Sequence, residues 1–150
     1  MPTDRSVIAA NDAERSRLEA FVASQSDADL QRPLPAGWTV AAVLAHLAFW
    51  DQRTFVLLDE WEKAGKVPPA TSEEDVDWIN DASKPMFLAM PPRRAAELAI
   101  SIARATDAKV AALRDDIIEK NKAAGTPVWL TRSVHRKEHL DDMEQALKGR

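Results

Sequence analysis

The chain has 150 residues, of which 45% are apolar and 29% charged, with a net charge of −4 and no cysteine. That length suits one domain, 1–150, with a core that needs no staples, and the missing cysteine excludes disulfides, thiol nucleophiles and thiolate metal ligands supplied by the protein. The acidic balance argues against a nucleic-acid surface, and four glycines with no tyrosine argue against a sheet-rich fold.

The first helix is expected to start near Asn11, with 5–10 able to extend it, because Asn11 and Glu14 have capping-box spacing. Leu18, Phe21 and Val22 then recur at helical intervals. The leading "MPTDRSVIAANDAERSR" holds no apolar run of signal-peptide length. "SDADLQRPLPAGW" reads as a loop, broken by Pro33, Pro35 and Gly37. Thr39 can cap a long second helix over about 40–63. Its stripe is Val40, Val43, Leu44, Leu47, Trp50, Thr54, Leu57, Leu58 and Trp61. The most apolar stretch, 40–50, falls short of the roughly 20 residues that span a bilayer. A soluble, cytoplasmic protein without a membrane partner is expected.

Gly65 and the following prolines end that helix. Thr71 and Glu74 repeat the capping-box spacing and open a short extra helix through "EDVDWINDASK", which Pro85 kinks or ends. Pro91 and Pro92 suit the first turn of a helix running to about Lys120, with Leu98, Ile102, Val110, Leu113 and Ile117 on one side and Thr106 as its polar member. "NKAAGTPVWL" reads as a connector. Thr131 or Ser133 caps the last helix, which ends near Lys148 and Gly149. Four amphipathic helices with one short extra element predict an all-α four-helix bundle, and the segment after the second helix allows a long crossover.

The three histidines hold the chemistry. His135 and His139 are four apart and stack on one helical face, where two imidazoles can take adjacent corners of one cation. A third ligand is needed. His46 borders the buried stripe of the second helix, beside Val43, Trp50 and Leu57, and His139 borders Ala146 on the last. If those helices face one another, the three could surround one point. Hydrogen-bonded surface histidines are the competing reading.

"LPAGWTVAAVLAHLAFWDQR", with Trp38, His46, Trp50 and Asp51, resembles the helix-two signature of the DinB/YfiT-like superfamily. That group includes the N-terminal domain of mycothiol-dependent maleylpyruvate isomerase, bacillithiol transferases and ClbS/DfsB proteins. "SVHRKEHLDDME" resembles the family's closing helix, and "DVDWINDA", with Asn80, an intervening segment. The resemblance implies a metal triad of His46, His135 and His139 for zinc, nickel or a similar divalent ion. It also implies an enzyme that activates a low-molecular-weight thiol (mycothiol, bacillithiol or glutathione) or water toward a small electrophile, by S-transfer, thiol-dependent isomerisation or hydrolysis. A non-catalytic helical module that binds a ligand or partner is the alternative, and a homodimer is compatible with either.

Around that triad, Arg53 lies two turns past His46 on nearly the same side and is a candidate for binding an anionic group, with a surface arginine paired to a carboxylate as the competing reading. Trp38, Trp50, Trp78 and Trp129 are candidates for an apolar wall. Asn80 is a candidate ligand contact. Asp142 could orient an imidazole, and Glu138 is expected on the solvent side.

Overall fold

The computed structural model describes residues 2–125 and 127–148. Its helices are α1 Val7–Ser24, α2 Asp27–Leu30, α3 Val40–Ala64, α4 Glu73–Ala89, α5 Pro92–Ala111, α6 Asp115–Ala123 and α7 Arg132–Lys148. Strands β1 Pro33–Leu34 and β2 Trp38–Thr39 pair antiparallel around a 3-10 turn, Pro35–Gly37.

Helices α1, α5, α3 and α7 close a ring, each packed on the next and α7 back on α1. Side-chain bonds give their directions. Asn11 meets Ser133 and Arg17 meets Asp141 and Glu144, so α1 and α7 run parallel. Asp51 meets Thr106 and Glu62 meets Lys109, so α3 and α5 also run parallel. Arg15 with Asp107 and Arg104 with Glu19 set α1 antiparallel to α5. A parallel α3–α5 pair needs a returning connection, and α4 is that crossover. It packs outside α3, with Trp50 on Asn80 and Phe49 on Phe87.

Several sequence expectations shift. α1 begins at Val7, and Asn11 is not its cap: the Asn11 side chain is buried, donates to Leu130 O (2.9 Å) and accepts from Ser133 N (2.9 Å). It thus satisfies the free Ser133 amide in the first turn of α7, a helix more than a hundred residues away in sequence. Ser133 lies inside α7 and is not its cap; Gly149 lies outside the described residues. The expected loop after α1 holds α2, closed by a Ser26–Asp29 capping box, and the small hairpin. Thr39 does cap α3, accepting from Ala42 N at 3.1 Å, and Gly65 ends it in the left-handed region.

The cap of α4 is Ser72, accepting from Asp75 N, not Thr71. The helix passes through Pro85 to Ala89, so the short extra helix is 17 residues long. Pro85 and Asp81 are both exposed, and water can satisfy the Asp81 carbonyl that proline leaves without a donor. The helix expected over 92–120 instead breaks after Ala111, and Asp115 and Asp116 open α6. Arg5 covers the break by donating to Ala111 O and Leu113 O. The buried face of α5 is Ala95, Ala96, Ala99 and Ala103, while Leu98 and Ile102 are half-buried. Methyl-sized side chains let α3 and α5 approach closely. "NKAA" belongs largely to α6, and Asn121 clamps Val128 N and O, both at 2.8 Å.

The core has two apolar clusters. One holds Leu18, Leu44, Leu47, Leu140 and Met143; the other holds Leu58, Trp61, Val110, Leu113 and Ile117. Between them lies a buried polar layer of Asn11, Asp51, Thr54, Thr106, Asp107, Arg132 and Arg136. No helix among the described residues is long and apolar enough to cross a membrane.

Candidate metal centre and its cavity

His46 sits on α3 among fully packed alanines and leucines and is 7% exposed. His135 and His139 occupy the first two turns of the antiparallel α7. His46 Nε2 lies 3.1 Å from His135 Nε2, and His139 Nε2 lies 3.1 Å from the same atom. The rings meet edge to face with centroids 4.7–5.0 Å apart. One face each of two helices, not adjacent in sequence, therefore aims three donor atoms at one point.

Hydrogen bonds cannot satisfy that arrangement. His135 Nε2 has one lone pair or one proton, yet it faces two ring nitrogens at bonding distance. One contact must remain unfavourable unless something positive sits between the rings. Tetrahedral zinc with bonds of about 2.0–2.1 Å separates adjacent nitrogens by roughly 3.3 Å, close to the spacing seen. Three imidazoles suit zinc or nickel and leave coordination positions free.

Electrostatics favour the neutral ligand form. Burial and the nearby His139 push His46 down to about 4. Burial, then the other two histidines, Arg132 and Arg136, push His135 down to about 2. Burial lowers His139 as well, opposed by the charges of Glu138 and Asp142. Each ring thus keeps its lone pair near neutral pH. His46 Nδ1 is buried without a partner among the described residues. Asp142 is exposed and reaches His139 only as a charge.

The polar layer lies directly behind the histidines. Arg136, fully buried, donates to both oxygens of Asp107 at 2.8 Å and to Asp51 at 3.2 Å. Arg132 donates to Asp51 at 2.8 Å, and Arg15 to Asp107 at 2.7 Å. This chain of five charges ties the first turns of α7, and so both its histidines, to α3, α5 and α1. Sequence reading missed it. The signal was present, because Arg136 lies four residues before Leu140, Asp51 four after Leu47, and Asp107 four after Ala103. Charged residues of opposite sign stand in register with three buried stripes.

The histidines form one wall of an 840 Å³ cavity. Trp38, Trp50 and the exposed Trp129 line it, whereas Trp78, also exposed, bonds Asp75 outside the cavity. Trp38 meets His46 edge to face at 5.7 Å. Trp50 donates its indole proton to Asn80 Oδ1 at 2.8 Å, and Arg53 lies over the Trp50 ring at 5.4 Å. Arg53 donates to Thr71 Oγ1 at 2.6 Å, and among the described residues it makes no ion pair. Burial, then the Arg132 charge, lowers its pKa from the ordinary value. Glu138 is exposed and lines the cavity from α7.

A crossover four-helix bundle with three imidazoles converging at a pocket wall defines a helical protein class whose site could hold a metal ion. The DinB superfamily model matches residues 10–136, which include His46 and His135. The chain belongs to the DinB superfamily. No curated protein and no solved structure matches it.

Proposed function

We propose that the chain is a divalent-metal-dependent enzyme acting on small electrophiles with the help of a low-molecular-weight thiol or water. The convergence of His46, His135 and His139 Nε2 atoms on a cavity wall carries this reading. The histidines would hold zinc or nickel at the cavity wall. A bound ion would supply Lewis acidity, lowering the proton affinity of a thiol or water presented to it. The chain's own part is to fix three neutral rings, to exclude water with Trp38 and Trp50, and to place a ligand through Trp50, Arg53 and Asn80. The lack of cysteine is compatible with sulfur arriving on a cosubstrate such as mycothiol, bacillithiol or glutathione.

The test starts with protein purified without a histidine tag. Its metal content is measured, and its melting is followed as zinc is added. At a hundredfold excess over Kd, binding to the folded form alone adds about 2.7 kcal/mol, or roughly 5–10 °C for a protein of this size. His135→Ala should abolish the shift. Turnover with a panel of thiols and electrophiles follows. Zinc-loaded protein inert toward every pair would overturn the enzymatic reading and leave a binding module.

A further inference from the structure

The cavity has a second polar end, at Arg53 and Asn80. Arg53 follows His46 by seven residues, nearly two full turns, so the two side chains leave α3 on almost the same face about 10 Å apart along the axis. Its guanidinium is half-buried and stacked on Trp50, and it spends one donor on Thr71 Oγ1. The remaining donors of its fork have no carboxylate partner among the described residues. Trp50 holds Asn80 by its carbonyl oxygen, which leaves the Asn80 amide group as a further donor on the same wall. Glu138 lines the cavity on the histidine helix. One end therefore offers unpaired hydrogen-bond donors and positive charge, and the other carries a carboxylate beside the histidines.

We propose that the cavity selects an elongated anionic ligand, its carboxylate on Arg53 and its reacting atom about 10 Å away at the three histidines. Building on the thiol-dependent reading above, this favours carboxylated thiols over uncharged sugar thiols. Arg53 binds and positions; it does not touch the reacting atoms.

Calorimetry on the zinc-loaded full chain with three probes tests this: ω-mercaptooctanoate, whose extended length suits the separation, the matching mercaptooctanol, and octanoate. Wild type should bind the mercapto acid roughly tenfold or more tighter than the alcohol, as a charge-assisted contact implies. Arg53→Gln should erase that preference by weakening the acid to the level of the alcohol or below, and Arg53→Lys should restore part of it. Should Arg53→Gln not fold, Asn80→Asp serves instead, and it should weaken the acid more than the alcohol. Equal binding of acid and alcohol by wild type, or a preference that survives Arg53→Gln, overturns the proposal. Octanoate separates this idea from the metal reading. Arg53-dependent octanoate binding without zinc, together with no gain from the added sulfur, would retain the anion subsite while removing thiol coordination.

Discussion

Replacing Arg136 with methionine removes the centre of the buried charge layer. The guanidinium is wholly inaccessible and makes contacts to Asp107, Asp51 and the Asn11 carbonyl. Its loss leaves each carboxylate one cation: Arg132 on Asp51 at 2.8 Å and Arg15 on Asp107 at 2.7 Å. Breaking a buried ion pair costs about 3–5 kcal/mol. Because neither acid is stranded, the lower end applies, about 3 kcal/mol, and methionine refills enough volume to keep the cavity penalty small. For a protein of this size that is a fall in Tm of about 6–12 °C. The matched control is Lys137→Met, one residue away, whose ammonium pairs with Asp141 on the exposed face. That change should stay within about 0.5 kcal/mol. Urea denaturation of both variants measures the difference. If Arg136→Met unfolds at the same urea concentration as Lys137→Met, the layer is replaceable by apolar packing and does not hold α7 in place.

Three further outcomes follow from particular contacts. In metal-free protein, His46 has a folded pKa of about 4 against 6.5 unfolded, so the unfolded chain binds more protons between those values. Stability should be full above pH 6.5 and fall by about 3 kcal/mol toward pH 4 from this group alone; denaturation at stepped pH, with a shallower slope in His46→Gln, checks the sign. Asn11→Ala leaves Ser133 N and Leu130 O without their partner, and should cost about 2 kcal/mol in chemical denaturation; a cost of only a few tenths would mean that the α7 amides find another acceptor. Ser72→Ala should lower stability by about 1 kcal/mol through loss of the α4 cap, while Thr71→Ala, which frees Arg53 instead, should change melting little; the reverse ranking would restore Thr71 as the cap.

The fold was legible where an apolar stripe and a local cap agreed. α3 is the clearest instance, with Thr39 before it, Gly65 after it and a helical stripe between. The metal candidates were legible for a related reason: the spacing of His135 and His139 is local, and His46 sat at the edge of a recognisable stripe. What failed involved partners distant in the chain. Asn11 looked like a cap because Glu14 follows at the right interval, yet its partners lie at 130 and 133, and no pattern within α1 points to them. Ser72, not Thr71, caps α4, and the Thr71 hydroxyl instead accepts from Arg53, eighteen residues earlier. The break after Ala111 depends on Arg5 reaching carbonyls from the far end of the chain.

The charged layer shows why such misses gather beside the histidines. A stripe read from hydrophobicity alone ends where its first charge appears, so it passes over Arg136 although that residue keeps the four-residue register of Leu140. Isolated, a buried arginine is prohibitive; with Asp51 and Asp107 arriving from two other helices, it is tolerated and directional. The same pairing lets α7 bring two imidazoles against α3 without fraying at its N-terminal turn, which faces Asn11 and Asp51 in place of solvent. A centre built from neutral rings needs such a frame. Three buried histidines with depressed proton affinity disfavour a proton, and hydrogen bonding cannot satisfy both of their Nε2 contacts. The cost of assembling them must be met by neighbours, and Arg132 and Arg136, either side of His135, are those neighbours.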